Sequence, residues 1–185
     1  MKKSLVLASA AATALLAVAA PSLASAEVAP TGTTQTISME IVKGALKFVG
    51  PASVHQGDEL KVVNDTDPKK VGPHTFSLVT KGTVPKTKPA RKNCFTPKHI
   101  CMSIAKWHGF NPKTEKITIN PVEVGEEGWS TAGDNSTEGD SWFTGEAKKG
   151  TSITQRVTAE PGTVYFLCAI HPWMSGSTTV LPAGS

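Results

Sequence analysis

The chain has few of the residues that carry chemistry in an enzyme. Its 185 residues include three cysteines, four methionines, five histidines and one tyrosine. Covalent haem attachment requires Cys-x-x-Cys-His, and that pattern is absent. No acid/base pair, nucleophile triad or phosphate-cradling loop can be picked out, so enzymatic turnover is not expected. There is no nucleic-acid-binding motif, and no nucleic acid partner is expected. No long helical period appears, and beyond the N-terminal apolar run no segment approaches the ~20 apolar residues of a membrane-spanning helix.

At the N-terminus, Lys2 and Lys3 precede an apolar run from Leu5 to Ala20, and Ala24-Ser25-Ala26 supplies small residues for cleavage. Residues 1–26 therefore read as a secretory signal peptide cut after Ala26. The segment holds no Cys for a lipid anchor and no Arg pair for twin-arginine export. The mature protein is expected to be secreted or to sit on the periplasmic or cell-envelope exterior, without stable membrane insertion. Residues 27–34 are a polar Ala/Pro/Thr/Gly tail, expected to be flexible. The remainder suits one domain, 35–185, expected to be a monomer.

From Gln35 the texture is that of strands. Ile37, Met39 and Ile41 alternate with polar residues, and Ala45–Val49 follows across Gly44. Leu60–Val63, His74–Thr80, Ser152–Thr158, Thr163–Leu167 and Ser177–Leu181 read as further strands, separated by Gly, Pro, Asn and Asp clusters. Short strands with turn signals and no helical period predict an all-β, Greek-key β-sandwich.

The stretch with chemical content is Tyr165-Phe166-Leu167-Cys168-Ala169-Ile170-His171-Pro172-Trp173-Met174-Ser175-Gly176. A thiolate, an imidazole and a thioether fall within seven residues, each separated from the next by two others. The flanking strand patterns put them on a tight loop at one end of a sheet. Cys and His are strong ligands for a borderline or soft metal, and Met is a weak one. Two His and one Cys with a weak axial Met make the ligand set of an electron-transfer copper site. One histidine is missing from the loop, and the rest of the chain has to supply it. A structural zinc site would want further Cys or His nearby, and none follows.

This loop resembles that of the cupredoxins, the type 1 blue copper proteins, and its short spacing is closest to the amicyanin form. In that family the second His lies far upstream on a facing strand. Here His74, in Gly72-Pro73-His74-Thr75-Phe76-Ser77-Leu78, matches it. The hairpin turn and strand Gly57-Asp58-Glu59-Leu60-Lys61-Val62-Val63-Asn64 extend the likeness, which covers Ala45–Thr80 and Thr151–Leu181. The resemblance implies one copper ion held by His74, Cys168, His171 and Met174, and a one-electron carrier cycling between Cu(II) and Cu(I). It implies unidentified redox partner proteins, and His171 as the partly exposed ligand through which electrons enter. Multicopper oxidases and copper nitrite reductases need more histidines than five. In several family members an Asn beside the upstream His bonds across to the Cys loop. Here Thr75 stands there, so the surroundings of the sulfur must differ. Two other readings stay open: copper storage or delivery, and an extracellular interaction module with a structural copper.

Cys94 and Cys101 enclose a short loop and can form a disulfide in an oxidising compartment, leaving Cys168 for metal. The competing idea is a second metal site from Cys94, His99, Cys101 and His108. Both pairs of residues lie in an insertion, at about 81–149, that separates His74 from Cys168 by 94 positions. It also carries Trp107, Trp129 and Trp142, which argue for a packed lobe rather than a linker. Charge is uneven: Pro68–Thr114 has ten Lys/Arg and no Asp/Glu, and Glu115–Ala147 has eight Asp/Glu and only Lys116 as a base. Such asymmetry marks either a docking face or two halves that complement each other.

Overall fold

Alternation in the sequence fixes which way the strands face. In the computed structural model, which describes residues 33–118, 122–123 and 128–184, Thr34–Val42 forms β1 and turns Ile37 and Met39 inward. The expected signal peptide, and all of the expected tail except Thr33 and Thr34, lie outside the described residues. Ala45–Val49 is β2, Ser53–His55 β3 and Glu59–Asn64 β4, with Leu60, Val62 and Asn64 buried on alternate positions. A single helical turn, α1 (Pro68–Val71), follows. The Asp67 side chain accepts from Lys69 N–H at its start, and Pro68 supplies a preset φ there. β5 is Thr75–Val79.

Within the insertion, α2 (Lys88–Asn93) and α3 (Ile100–Trp107) are followed by the small ribbon β6 (Phe110–Asn111) and β7 (Lys116–Ile117). Then come β8 (Val122–Glu123) and β9 (Ser141–Phe143). β10 (Ser152–Arg156), β11 (Gly162–Leu167) and β12 (Ser175–Leu181) complete the chain.

Two sheets face each other, as expected of a β-sandwich. One has the order β10-β4-β1-β2, and the other β3-β12-β11-β5-β9-β8. β1 runs parallel to β4 and β12 parallel to β3; the remaining neighbours are antiparallel. Ile37, Met39, Val62, Phe76, Leu78, Phe166, Met174 and Val180 fill the space between the sheets. Phe76 sits edge-on to Trp129 at 5.0 Å and to Phe48 at 5.7 Å.

β5 is buried along its whole length, which a strand in a simple sandwich is not. Its inward residues Phe76 and Leu78 meet the core. On the outer face Val79, with Leu167 and Ala169 from the β11 side, is covered by Cys94, Ile100, Cys101 and Ile104 of the insertion. The Cys94–Cys101 disulfide, Cα–Cα 5.1 Å, ties the end of α2 to the start of α3. The second-metal reading of Cys94, His99, Cys101 and His108 is thereby set aside: the two thiols are joined to each other. The insertion also enters the sandwich. β9 pairs with β5, and Trp129 and Trp142 are buried in the main core; Trp107 is left half-exposed.

Candidate metal centre

Cys168 follows the last residue of β11, and Ser175 opens β12, so the segment between them is the end of a hairpin. Cys168 N–H donates to the Met174 carbonyl at 2.9 Å, and Met174 N–H donates to the His171 carbonyl at 2.7 Å. These two bonds close the loop on itself. Gly176 is required just beyond it, because a Cβ there would lie 2.5 Å from the Phe166 ring, far inside contact distance. His74 immediately precedes β5, the neighbour of β11 in the sheet, and faces the loop from across that pairing.

The loop and strand thus bring three donors together. His74 Nδ1 and His171 Nδ1 are 3.2 Å apart, and Cys168 Sγ is 3.8 Å and 3.6 Å from them. All three residues are buried. A point at the middle of this triangle lies about 2 Å from each corner, the length of a bond from a metal to nitrogen or sulfur. Met174, expected as the axial ligand, is buried at the end of the same loop, 1% exposed. Cys168 is the free cysteine among the described residues.

Each imidazole is held from behind. The Thr66 hydroxyl donates its hydrogen to Asn64 Oδ1 at 2.7 Å, so at its 2.8 Å contact with His74 Nε2 it must accept. His74 therefore carries its proton on Nε2, and its Nδ1 lone pair faces the cluster. The backbone of Val71, the last residue of α1, lies beside His171 as a partner that favours its protonated form. Such outer partners fix the tautomer and orientation of a metal-ligating His. Burial, and then the neighbouring His171, pull the His74 pKa down from 6.5 to about 4; burial also lowers that of His171. Both rings are neutral at pH 7 and free to donate a lone pair.

The sulfur has its own partners. Thr75 N–H donates to Cys168 Sγ at 3.3 Å, and the backbone of His171 and Ile170 and the Thr75 hydroxyl also favour the thiolate. Burial nonetheless pushes the Cys168 thiol up, because an isolated thiolate in an apolar interior is costly. A bound cation would remove that penalty. Neutral imidazoles, a buried thiol lined with donors, and corners spaced for one ion together fit a copper ion of the type the sequence implies.

One sequence expectation is refined by the structure. Thr75 takes the bridging part expected of an Asn: its Oγ1 accepts from Ala169 N–H at 2.8 Å, spanning from β5 to the Cys loop. Asn64, at the end of β4, supports His74 through Thr66. One expectation fails. His171 is not partly exposed but buried, at 8%. The α1 turn lies over it through Val71, and the Trp173 ring stands 5.2 Å away. Trp173 is the exposed group instead, at 51%. His55 and His99 lie apart from the cluster. His108 is buried within the insertion, bonded to Ser141. The partners Thr66 and Val71 were not anticipated from sequence; a threonine directly after the ligand His was the one available sign of the Thr75 bridge.

No protein-family model matches the chain, and none of the curated proteins compared with it matches. Among solved structures it is similar to an Na-dithionite reduced auracyanin from the photosynthetic bacterium Roseiflexus castenholzii, at 17% identity and a TM-score of 0.39, over 81% of this chain and 98% of that one. It is also similar to auracyanin B, at 15% identity and a TM-score of 0.39, over 80% of this chain and 88% of that one.

Proposed function

We propose that the protein is a cupredoxin-type one-electron carrier with a single copper held by His74, Cys168 and His171, and with Met174 as the weak axial ligand. The observation that carries this reading is the triangle of Nδ1, Nδ1 and Sγ, with the His74 tautomer set from behind by Thr66. Copper bound there would supply a Cu(II)/Cu(I) couple that stores and releases one electron.

The chain's own residues supply the rest. Thr66 and the Val71 backbone hold the two rings so that little has to move when the charge changes. The donors around Cys168 Sγ steady its negative charge. Pro172 stiffens the loop, and the buried core beneath it excludes water. Trp173, exposed and against His171, offers the apolar surface at which a redox partner protein would meet the site. Storage or delivery is less well supported, because handing over an ion calls for an accessible ligand, and His74, Cys168 and His171 are all buried.

The test is to add Cu(II) to the purified protein and record visible and electron-spin spectra. An intense blue or green thiolate band is expected in the wild type and its loss in Cys168→Ser. His74→Gly should weaken or alter the colour, and imidazole should restore it. No thiolate band in the wild type would end the carrier reading.

A further inference from the structure

A row of buried hydroxyls runs from the insertion to the sulfur. His108 Nε2 is 2.8 Å from Ser141 Oγ, Ser141 Oγ is 2.7 Å from Ser77 Oγ, and Ser77 Oγ is 3.0 Å from Thr75 Oγ1. All four residues are buried. They lie on the outer face of the second sheet, where β5 and β9 pair Ser77 with Ser141.

Each hydroxyl has one hydrogen, and this sets the direction. Ser77 donates its hydrogen to Thr75 Oγ1, so at the Ser77–Ser141 contact it must accept. Ser141 has then given its hydrogen to Ser77, so at His108 it must accept, and His108 Nε2 is the N–H donor. At the far end Thr75 Oγ1 accepts from Ser77 and from Ala169 N–H, which leaves its own hydrogen for Cys168, whose thiolate form the hydroxyl favours. Every hydrogen in the row points toward the thiolate. Bonds aligned in this way polarise one another, each strengthening the next by roughly 10–30%.

We propose that His108 is a positioning residue for the Cys168 thiolate, acting through Ser141, Ser77 and Thr75 as a one-way chain of donors that raises the reduction potential of the site. The proposal rests on the copper reading above. On reduction the site gains one electron and no proton, and donors aimed at the sulfur favour that more negative state. The insertion thereby acts on the redox chemistry. The row itself is buried, where such bonds are stronger, and an apolar-lined cavity of about 100 Å³ between Phe95, His108, Phe143 and the Cys loop borders it.

Nitrogen NMR of the metal-free wild type tests the direction without any copper. His108 should be the Nε2–H tautomer; a bare Nε2 with the proton on Nδ1 would reverse the row and overturn the proposal. On the copper-loaded protein, Ser77→Ala and His108→Leu should each make reduction roughly twofold to fourfold less favourable, about 20–35 mV at about 59 mV per tenfold. The double variant should fall no further than Ser77→Ala alone, because both break one chain. His108→Gln, which keeps an N–H donor, should recover part of the loss. Ser77→Ala alters volume little and keeps the test open if His108→Leu does not fold. Unchanged potentials, or losses that add in the double variant, would refute the chain. Absence of a thiolate band with the expected tautomer present would count against copper and not against the direction of the row.

Discussion

A single threonine hydroxyl decides how His74 can act. Thr66 has one hydrogen and gives it to Asn64, so His74 must present Nδ1 inward, and burial keeps the ring neutral. That neutrality has a cost in acid. The His74 pKa is about 4 in the fold against 6.5 when free, so between those values the unfolded chain binds a proton that the folded chain does not. Stability of the metal-free protein should be full above pH 6.5 and fall as the pH drops to 4, by about 3 kcal/mol at about 1.4 kcal/mol per unit. His171, shifted the same way, adds to the fall. Chemical denaturation of metal-free protein across pH 4–7 checks this, and His74→Gly should flatten the upper part of the curve. An equally steep curve in that variant would assign the loss to other groups. At this scale the sequence was legible where donors are adjacent: Cys168, His171 and Met174 announce themselves by spacing. Thr66, Val71 and Ser141 do not: Thr66 reaches His74 across the α1 turn, and the other two meet their partners only through loop packing and strand pairing far along the chain.

The elements divide along the same line. β1, β4 and β12 were readable because one face of each meets the core, and period-two alternation follows. β5 was readable as a strand but not as one buried on both faces, since nothing local says that a helix will cover its outer side. β9 went unrecognised: Ser141-Trp142-Phe143 is too short to alternate and sits between polar turns. α2 and α3 are likewise too short to show the long helical period that the sequence lacks. What joins them is the disulfide, and its contribution can be weighed. Closing a loop of this size removes roughly 2–3 kcal/mol of unfolded-state freedom on the chain-entropy model. Cys94→Ser with Cys101→Ser should lower stability by about that amount in thermal or denaturant unfolding. It should also loosen α3 over Val79 and Leu167 first, seen as faster amide exchange in α3. An unchanged midpoint would mean that packing of Ile100 and Ile104 alone holds the helix.

For the whole molecule, the insertion is structural as well as an addition. Trp129 lies in the main core against Phe76. Its backbone accepts from Thr158 and Ala159 N–H and donates to the Arg156 carbonyl, which stitches the insertion to the segment after β10. Trp129→Ala should therefore cost about 3–5 kcal/mol, the range for an aromatic removed from a packed core. A loss under about 1 kcal/mol, measured by denaturant unfolding, would show the insertion to be a separable lobe. The parallel pairings of β1 with β4 and of β12 with β3 carry a further consequence, in time rather than in energy. Parallel neighbours cannot be joined by a tight turn, so each waits on a long stretch of chain between its strands. Chains dominated by such distant pairings fold in milliseconds to seconds rather than microseconds. The donors of the metal centre come from two segments that only this slow assembly unites. On the proposed copper reading, the pace at which the metal pocket comes into being is set by the sandwich and not by the ion.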